Sequence, residues 1–386
     1  MAQTADVVII GGGIVGSSVA WHLTQAGCTR VIILERETHQ GKGSTGKSMG
    51  GVRAQFATPV NIRMSLHSIP FLADFEQITG HPSGYRGHGY LFLATSEKHL
   101  AYLRANAGRQ RELGLKDVQI LPRDEVVRFF PAMRSDDILG GSFCPTDGFV
   151  DPYSVMTGFT NSALERGAQL WRETEATAIE RDARGVSAVV TSRGRIETRT
   201  VVNAAGPWAA HVATLAGADL PITPMRRMLV PTEPVTGIPE RLPMVIDMGT
   251  GFHFRPENLG LLLAWNDPEE TPGFKLNFDP AFIEKILTHA AARVPGFESL
   301  EVNPRRPWAG LYAMSPDHHS ILGESRETPG LFFANGFSGH GVMHSPATGR
   351  ILADLILEGT TRIIDANLLS PSRFAEGRLI EESVVL

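Results

Sequence analysis

The sequence predicts an α/β fold, α+β overall, in which a parallel-sheet domain carries an inserted antiparallel-sheet domain. Three observations lead to this prediction. The chain opens with an apolar run, a glycine-rich turn, an amphipathic stretch and a second apolar run. Alternating strand and helix patterns return in the middle of the chain and near its end. Residues 221–316 are richer in proline and alternate apolar with polar residues, which is typical of antiparallel strands.

The opening segment has the pattern of a dinucleotide-binding βαβ unit. A Gly-x-Gly-x-x-Gly turn follows the apolar run 7–10, and Glu35 ends the next apolar run, 31–34. The glycines permit the tight turn, the approach of backbone N–H groups to a pyrophosphate, and close packing of helix on strand. The helix N-terminus favours the phosphates, and the carboxylate can accept ribose hydroxyls. The predicted contacts here are Gly11, Gly13, Ile14, Val15, Gly16 and Glu35.

This pattern predicts an adenine dinucleotide in a Rossmann-like domain, against the alternative of an ordinary βαβ unit. A loop rich in Gly, Ser, Thr and Lys follows at residues 41–51. It is either a flexible surface linker or a second clamp on the cofactor, and its position directly after the acid favours the clamp. The residues assigned to the cofactor in this region are Arg36, Ser44, Thr45, Lys47, Ser48, Met49, Gly50 and Gly51.

Capping residues predict the main helices. Proline at position 70 is expected to kink or break the second of them. The predicted helices are Ile14 to Ala26 before Gly27, a helix from Pro59 after the Thr58 N-cap, Glu97 to Leu113, Pro152 to Arg166 after the Asp151 N-cap, and Pro346 to Glu358 after a Ser345 N-cap.

The order of these patterns predicts two discontinuous domains. Residues 1–84, 144–220 and 317–386 form the dinucleotide-binding domain, and residues 85–143 and 221–316 form a substrate-binding domain. A small-molecule site is expected at the domain interface, where such sites commonly lie.

Composition excludes several classes of function. The net charge of −5 and the scattered Lys and Arg residues argue against nucleic-acid binding. The densest basic pairs, Arg226-Arg227 and Arg305-Arg306, are interpreted as local salt-bridging sites. Cys28 and Cys144 match neither a metal spacing nor a redox pair, so no metal site is predicted. No apolar run is long enough for a transmembrane segment, and we expect a cytoplasmic protein.

Four further motifs carry a resemblance to a known family. They are residues 202–208, residues 307–312 with 315–317, residues 336–341, and the tail 372–374 with Glu381-Glu382. Together with the βαβ unit they occur in the same order in the D-amino-acid-oxidase superfamily. The chain most resembles its sarcosine oxidase beta-subunit branch, which includes proline dehydrogenase beta subunits and a mitochondrial FAD-dependent oxidoreductase-domain protein.

The resemblance implies FAD rather than NAD, and oxidation of a C–N bond to an imine by hydride transfer to flavin N5. The implied substrate is a small amino acid or a secondary or N-methyl amine, such as proline or sarcosine. Oxygen or a redox partner would accept the electrons, and the chain would work alone or in a homo- or hetero-oligomer. The alternatives are a flavin-containing assembly or scaffold subunit with little turnover, and an NAD-dependent dehydrogenase.

The C-terminal glycine loop is expected to approach the flat flavin ring, because its glycines remove side chains there. The helix that follows would then face the ring edge where negative charge accumulates. His340 either contacts flavin or substrate, or packs inside the loop. The further cofactor contacts assigned to this loop and to the motifs before it are Ala176, Ala205, Gly206, Trp208, Gly310, Gly336, Gly339, His340, Gly341, Val342 and Met343.

Departures from the family pattern bear on the cofactor linkage. Monomeric sarcosine oxidases tether FAD through a cysteine at the position of Gly310, so we predict noncovalent FAD. Heterotetrameric sarcosine oxidases attach FMN to a histidine at the position of Pro152, which argues against covalent FMN. A lysine that promotes reaction with oxygen is replaced by Leu262, which favours a dehydrogenase over an oxidase.

The usual anchors for a substrate carboxylate are also absent. Met343 stands where monomeric sarcosine oxidases have lysine, and Tyr312 stands where glycine and D-amino-acid oxidases have arginine. The candidates for the catalytic site are therefore Arg53, Arg255, Tyr312 and His340. Each has a structural alternative: flavin or phosphate contact, a domain-interface salt bridge, or simple packing. With no clear general base, we expect the reductive rate to rise with pH as the bound amine deprotonates.

Overall fold

The computed structural model describes residues 3–380, and Glu381 and Glu382 of the tail motif lie outside this range. The strands, in chain order, are β1 Gln3–Thr4, β2 Val7–Ile10, β3 Val31–Leu34, β4 Gly51–Val52, β5 Tyr90–Ala94, β6 Gln119–Pro122, β7 Gly140–Cys144, β8 Gly148–Phe149, β9 Gln169–Trp171, β10 Ala176–Asp182, β11 Gly185–Thr191, β12 Gly194–Glu197, β13 Val201–Asn203, β14 Thr223–Pro231, β15 Met244–Asp247, β16 His253–Glu257, β17 Gly260–Ala264, β18 Trp308–Met314, β19 Ile321–Glu324 and β20 Leu331–Asn335.

Helices cover these sheets and connect their strands. The α-helices are α1 Ile14–Gln25, α2 Pro59–Ala73, α3 Phe75–Thr79, α4 Glu97–Glu112, α5 Arg123–Phe129, α6 Pro152–Glu165, α7 Ala209–Thr214, α8 Ala281–Arg293 and α9 Gly341–Glu358. Short 3₁₀ turns lie at Thr45–Lys47, Gly206–Trp208, Pro295–Ser299, Ala366–Leu368 and Pro371–Arg373. No helix in the described part of the chain has the length and apolar character needed to cross a membrane.

The first domain is built around a six-stranded sheet with the strand order β19-β20-β13-β2-β3-β9. All its neighbours are parallel except β19, which runs antiparallel to β20. Its central strands β2 and β3 are buried throughout, as expected for a parallel sheet covered on both faces. Helix α1 packs beside the sheet against α6 and α9, so three distant parts of the sequence build this domain.

A second, eight-stranded sheet has the strand order β18-β14-β17-β16-β15-β5-β7-β6. Both segments assigned to a substrate-binding domain contribute strands to it. The pairs are antiparallel except that between β5 and β15, which brings the two segments together in parallel register. A four-stranded sheet, β1-β12-β11-β10, and the short pair β4-β8 complete the structure. The predicted fold class is confirmed.

The predicted boundaries of α1, α4 and α6 agree with the structure to within one residue. At the start of α6 the Asp151 carboxylate accepts a hydrogen bond from Ser154 N at 2.7 Å. The structure narrows one proline-based prediction, a kink or a break at Pro70, and corrects another. Helix α2 continues through Pro70 to Ala73, so this proline does not break it. Helix α9 begins at Gly341, not at Pro346, and Pro346 lies inside it.

Ser345 explains why α9 continues through Pro346. Proline lacks the N–H that would bond to the carbonyl of Val342, four residues earlier. The Ser345 hydroxyl donates to that carbonyl at 2.9 Å instead. Ser345 is therefore not an N-cap. It supplies the hydrogen bond that the proline removes, and α9 gains an additional turn at its N-terminus.

Candidate active site

A cavity of about 420 Å³ lies between the six-stranded sheet and the eight-stranded sheet. The carboxyl ends of β2 and β3 border it on one side, and β14, β17 and β18 border it on the other. Ligands of open parallel sheets bind at this edge of the strands. The loop at residues 41–49 and the start of α9 close the remaining walls.

The glycine turn lines the cavity with Gly11, Gly13, Ile14 and Val15. Gly11 has a φ of +113°, and a side chain there would overlap the carbonyl oxygen of Ala204. Gly16 lies outside the lining, where any side chain would overlap the Gly11 carbonyl oxygen. The turn therefore exposes backbone rather than side chains to the cavity, at the N-terminus of α1. This is a cradle of the kind that a pyrophosphate requires.

The far end of the cavity combines an acid with aromatic and basic side chains. Glu35 lines it and accepts a hydrogen bond from Glu37 N at 2.9 Å, while burial raises the pKa of its carboxyl. The Arg36 guanidinium lies 4.0 Å from the ring centroid of Trp208, which also stacks with Phe274. The predicted contacts that line this end are Glu35, Arg36, Ala176, Ala205, Gly206 and Trp208.

The loop at residues 41–51 joins the two sides of the cavity. Thr45 Oγ1 accepts from Ile14 N at 3.1 Å, and Ser44 Oγ donates to the Leu311 carbonyl at 2.6 Å. These bonds fix the loop to the glycine turn and to β18, so it is not a free linker. The predicted contacts that line the cavity from this region are Ser44, Thr45, Lys47, Ser48, Met49 and Gly310, whereas Gly50 and Gly51 lie outside the lining.

The start of α9 forms the third wall. Gly339, Gly341 and Val342 line the cavity, and the amides of a first helical turn lack intrahelical partners. Gly339 has a φ of +103°, and a side chain there would lie within 2.6 Å of the Tyr312 ring. Of the other residues predicted in this loop, Gly336, His340 and Met343 do not line the cavity.

Strand alternation places three polar side chains on the cavity wall of the eight-stranded sheet. Arg227 on β14, His253 on β16 and Tyr312 on β18 all line the cavity. The Arg227 guanidinium lies 5.3 Å from the centroid of the Tyr312 ring. Burial raises the pKa of the Tyr312 hydroxyl, so the ring stays neutral at ordinary pH.

Arg227 is partly buried, and few groups of the protein accept hydrogen bonds from its guanidinium. One of its terminal nitrogens donates to the Arg226 carbonyl at 3.0 Å, but its Nε has no hydrogen-bond partner among residues 3–380. Burial lowers the pKa of its guanidinium. A buried donor without a partner is costly, which indicates a ligand group as its acceptor.

The other predicted catalytic residues lie outside this cavity. Arg53 stacks at 3.8 Å on the Phe56 ring, donates to the Gln55 carbonyl at 2.7 Å and lines a separate small cavity. Arg255 donates to the carbonyl of Met49 at 2.8 Å and pairs with Glu257. These contacts occupy the Arg255 guanidinium, which fits the alternative of a structural salt bridge.

His340 packs inside the loop rather than facing the cavity. Its ring packs edge-on against that of Phe56, with 4.9 Å between the ring centroids. Burial together with the Arg53 charge holds the pKa of His340 well below its ordinary value.

Sequence reasoning missed Arg227 and His253. The signal was present in the strand alternation, because neighbours on one strand face opposite sides. Arg226 forms the expected salt bridge, with Glu270 at 2.6 Å, while Arg227 faces the cavity.

With this geometry established, comparisons with known proteins give the family. A family model described as FAD dependent oxidoreductase, of the DAO type, matches residues 6–355. The chain belongs to this family of FAD-dependent oxidoreductases. It is 34% identical to the FAD-dependent oxidoreductase domain-containing protein 1 of Xenopus laevis, over 99% of this chain and 85% of that protein. The resemblance predicted from the sequence motifs is confirmed.

The names of two further relatives each include the compound on which that protein acts. Mitochondrial sarcosine dehydrogenase of Mus musculus is 29% identical over 93% of this chain but only 40% of its own length. The crystal structure of L-proline dehydrogenase from P. horikoshii superposes with a TM-score of 0.91 at 29% identity, covering 98% of this chain and 100% of that one. The chain is thus an FAD-dependent oxidoreductase similar to amino-acid and amine dehydrogenases.

The residues present fit FAD. The side-chain-free turn at Gly11 and Gly13, the acid at Glu35 and the glycine-lined start of α9 leave backbone and carboxylate groups for its phosphates, ribose and ring. When bound, FAD supplies the acceptor for a hydride, which carries the two electrons of the oxidation. Neither Cys28 nor Cys144 lines the cavity, and Gly310 faces the Lys47 side chain.

Proposed function

We propose that the chain oxidises the C–N bond of a small amino acid whose amine is secondary or N-methylated, such as proline or sarcosine, to an imine. The observation that carries this proposal is Arg227. It places a cation and an unpaired buried donor on the cavity wall, on the same sheet as Tyr312. No residue of the described chain forms an ion pair with Arg227, so a substrate carboxylate is its natural partner.

Arg227 replaces the anchors that the sequence lacks at Met343 and Tyr312. A guanidinium presents several donors in a plane and binds a carboxylate through two parallel hydrogen bonds. The Tyr312 hydroxyl adds a neutral donor on the neighbouring strand, because Arg227 pairs with Gly310 and Tyr312 lies two residues further on the same face. Together they fix the acid end of the substrate and leave the amine end free for chemistry.

Apolar side chains complete the substrate side of the cavity. Leu229, Ala264 and Val342 line it and favour a small aliphatic substituent on the amine while excluding water. The compounds in the names of the two relatives, sarcosine and L-proline, are both α-amino acids with a secondary amine. This shared chemistry supports the proposed substrate class.

The same wall supports a noncovalent, dehydrogenase-type enzyme. Leu262 is buried and packs with Leu229 and Ala264, so the β17 position at which an oxygen-activating lysine would stand carries no charge. We therefore propose slow reaction with oxygen and an electron acceptor other than oxygen. Without a cysteine in the cavity lining, FAD is expected to be released when the protein is denatured in acid.

The test is an anaerobic titration of the purified holoprotein with a panel of amino acids and N-methyl amines. Loss of the visible flavin band with proline or sarcosine is expected, followed by slow recovery when air is admitted. Rapid recovery in air would instead identify an oxidase. A flavin spectrum that no amine changes would contradict the proposal and favour the scaffold alternative.

A further inference from the structure

We propose that His253 recognises the substrate amine, by accepting a hydrogen bond from its N–H at Nε2. This inference rests on the proposed function and adds the second half of amino-acid recognition to it. Arg227 would hold the carboxylate and His253 the amine, so the site would select molecules that carry both groups. The residue also determines which amines react.

The tautomer of His253 follows from one hydrogen bond. Its Nδ1 lies 2.9 Å from the carbonyl oxygen of Gly251, and a carbonyl can only accept, so Nδ1 carries the proton. A neutral ring with its proton on Nδ1 has a lone pair on Nε2. That nitrogen has no hydrogen-bond partner among residues 3–380, and His253 lines the cavity. Nε2 is therefore an acceptor available to a ligand.

The surroundings of His253 keep the ring neutral. Burial is the main cause that lowers the pKa of His253, and the charges of Arg53 and Arg227 lower it further. The Gly251 carbonyl opposes this shift only in part. A neutral acceptor attracts an amine N–H, whereas an imidazolium would repel a substrate ammonium.

The sheet register places His253 and Arg227 on one face. His253 pairs with Ala264, and Ala264 pairs with Leu229, which lies two residues from Arg227 on the same strand. All four residues line the cavity. Two strand spacings across and two residues along put the Cα atoms of Arg227 and His253 on the order of 12 Å apart. Side chains of this length can then hold the two ends of a small amino acid.

The hydrogen bond has a consequence for specificity. Hydride leaves the carbon next to a neutral amine, because an ammonium has no lone pair to expel it. A neutral secondary amine still has one N–H to donate to His253, whereas a neutral tertiary amine has none. Since that single bond also orients the nitrogen lone pair, the wild-type protein is expected to oxidise sarcosine faster than N,N-dimethylglycine.

The test uses a matched pair of variants in the holoprotein. His253→Asn keeps a donor near the Gly251 carbonyl but removes the acceptor at the ε position, and His253→Gln does the reverse. The concentration dependence of anaerobic flavin bleaching measures the apparent Kd for proline. Cyclopentanecarboxylate, which has the carboxylate and ring but no amine, is measured as a competitor. Flavin content and circular dichroism check that both variants remain folded.

We expect His253→Asn to weaken proline binding about ten-fold while leaving cyclopentanecarboxylate unchanged, and His253→Gln to stay close to wild type. Equal weakening of both ligands would show that His253 only packs the wall, and an unchanged Kd for proline would overturn the inference as well. Should the Asn variant fail to fold, equal oxidation of sarcosine and N,N-dimethylglycine by the wild type would overturn it. Failure of the wild type to react with any amino acid would contradict the proposed function itself.

Discussion

Arg226 and Arg227 are adjacent in the sequence but serve opposite faces of β14. Arg226 forms an ion pair with Glu270 and donates to the Asn277 carbonyl at 2.9 Å, so its charge is compensated within the protein. Arg227 faces the cavity and Tyr312. The same residue type therefore forms a structural ion pair at one position and lines the cavity at the next.

Arg227→Met is expected to raise the KM for proline roughly 10- to 150-fold, because a hydrogen bond to a charged group contributes about 1.5–3 kcal/mol. Steady-state kinetics with an artificial electron acceptor gives the value. Arg226→Met is the matched control and should leave KM close to wild type. If both variants have the same KM, Arg227 does not bind the carboxylate.

The pH dependence of the reductive rate separates the substrate amine from His253. Burial lowers the pKa of His253 below its ordinary 6.5, so the neutral ring predominates at pH 6.5 and above. The rate of anaerobic bleaching should then rise from pH 6.5 to 10 in a single step, as the bound amine loses its proton. A second step near pH 6.5 that His253→Asn removes would contradict this assignment.

At the scale of single residues, motif spacing predicted most of the residues that line the end of the cavity at the glycine turn and Glu35, but not Arg227 and His253. The glycine turn and Glu35 are close in sequence, and their local pattern specifies their geometry. Arg227 and His253 come together only through the strand register of β14, β17 and β16. Such long-range pairing is not encoded in a short motif, so the sequence alone offers Arg53 and Arg255 as candidates and not these two residues.

Among the structural elements, the C-terminal segment is held by one fully buried ion pair. Arg373 Nε lies 2.8 Å from an Asp317 oxygen, and neither side chain is more than 1% exposed. Burial alone would raise the pKa of Asp317, but the hydrogen bonds and charge of Arg373 outweigh it and hold that pKa below its ordinary 3.8. The pair thereby fixes the tail to the turn between β18 and β19.

Arg373→Met is expected to lower the free energy of unfolding by about 3–5 kcal/mol, because it leaves the Asp317 charge buried without its counter-ion. Thermal or urea unfolding measures the change. Arg378→Met is the control, since its partner Glu376 lies at the surface, and its effect should be much smaller. If both variants lose a similar amount of unfolding free energy, the buried pair contributes no more stability than the surface pair.

The acid sensitivity of this pair follows from the same shift. Since the folded pKa of Asp317 is lower than its unfolded value, the stabilisation is fully present above pH 3.8 and is lost as pH falls through the folded pKa.

The start of helix α9 shows how a local signal can mislead a prediction at this scale. Proline chemistry predicted its start at Pro346, but the Ser345 hydroxyl satisfies the Val342 carbonyl, and the helix begins at Gly341.

At the scale of the whole molecule, the cavity needs parts from the beginning, the middle and the end of the chain. The glycine turn, β14 with β18, and the start of α9 are each incomplete without the others. Composition and alternation predicted the two kinds of sheet correctly. They did not specify the parallel pairing of β5 with β15 that unites the two segments of the eight-stranded sheet.

Gly11→Ala tests whether this assembly holds FAD. The new methyl group would overlap the Ala204 carbonyl oxygen, and the φ of +113° disfavours alanine, so we expect loss of most bound flavin. Gly108→Ala is the control, because it lies in α4 with open space around it. Absorbance of flavin per protein after gel filtration measures the difference. Full flavin content in Gly11→Ala would contradict the proposed cradle.

The most direct test of the central claim compares proline with pyrrolidine, which is the same amine without the carboxylate. Each compound is mixed anaerobically with the wild-type holoprotein, and bleaching of the visible flavin band is followed over time. The account predicts that proline bleaches the flavin and that pyrrolidine does so far more slowly, because only proline engages Arg227. Equal bleaching by both compounds, or bleaching by neither, would contradict it.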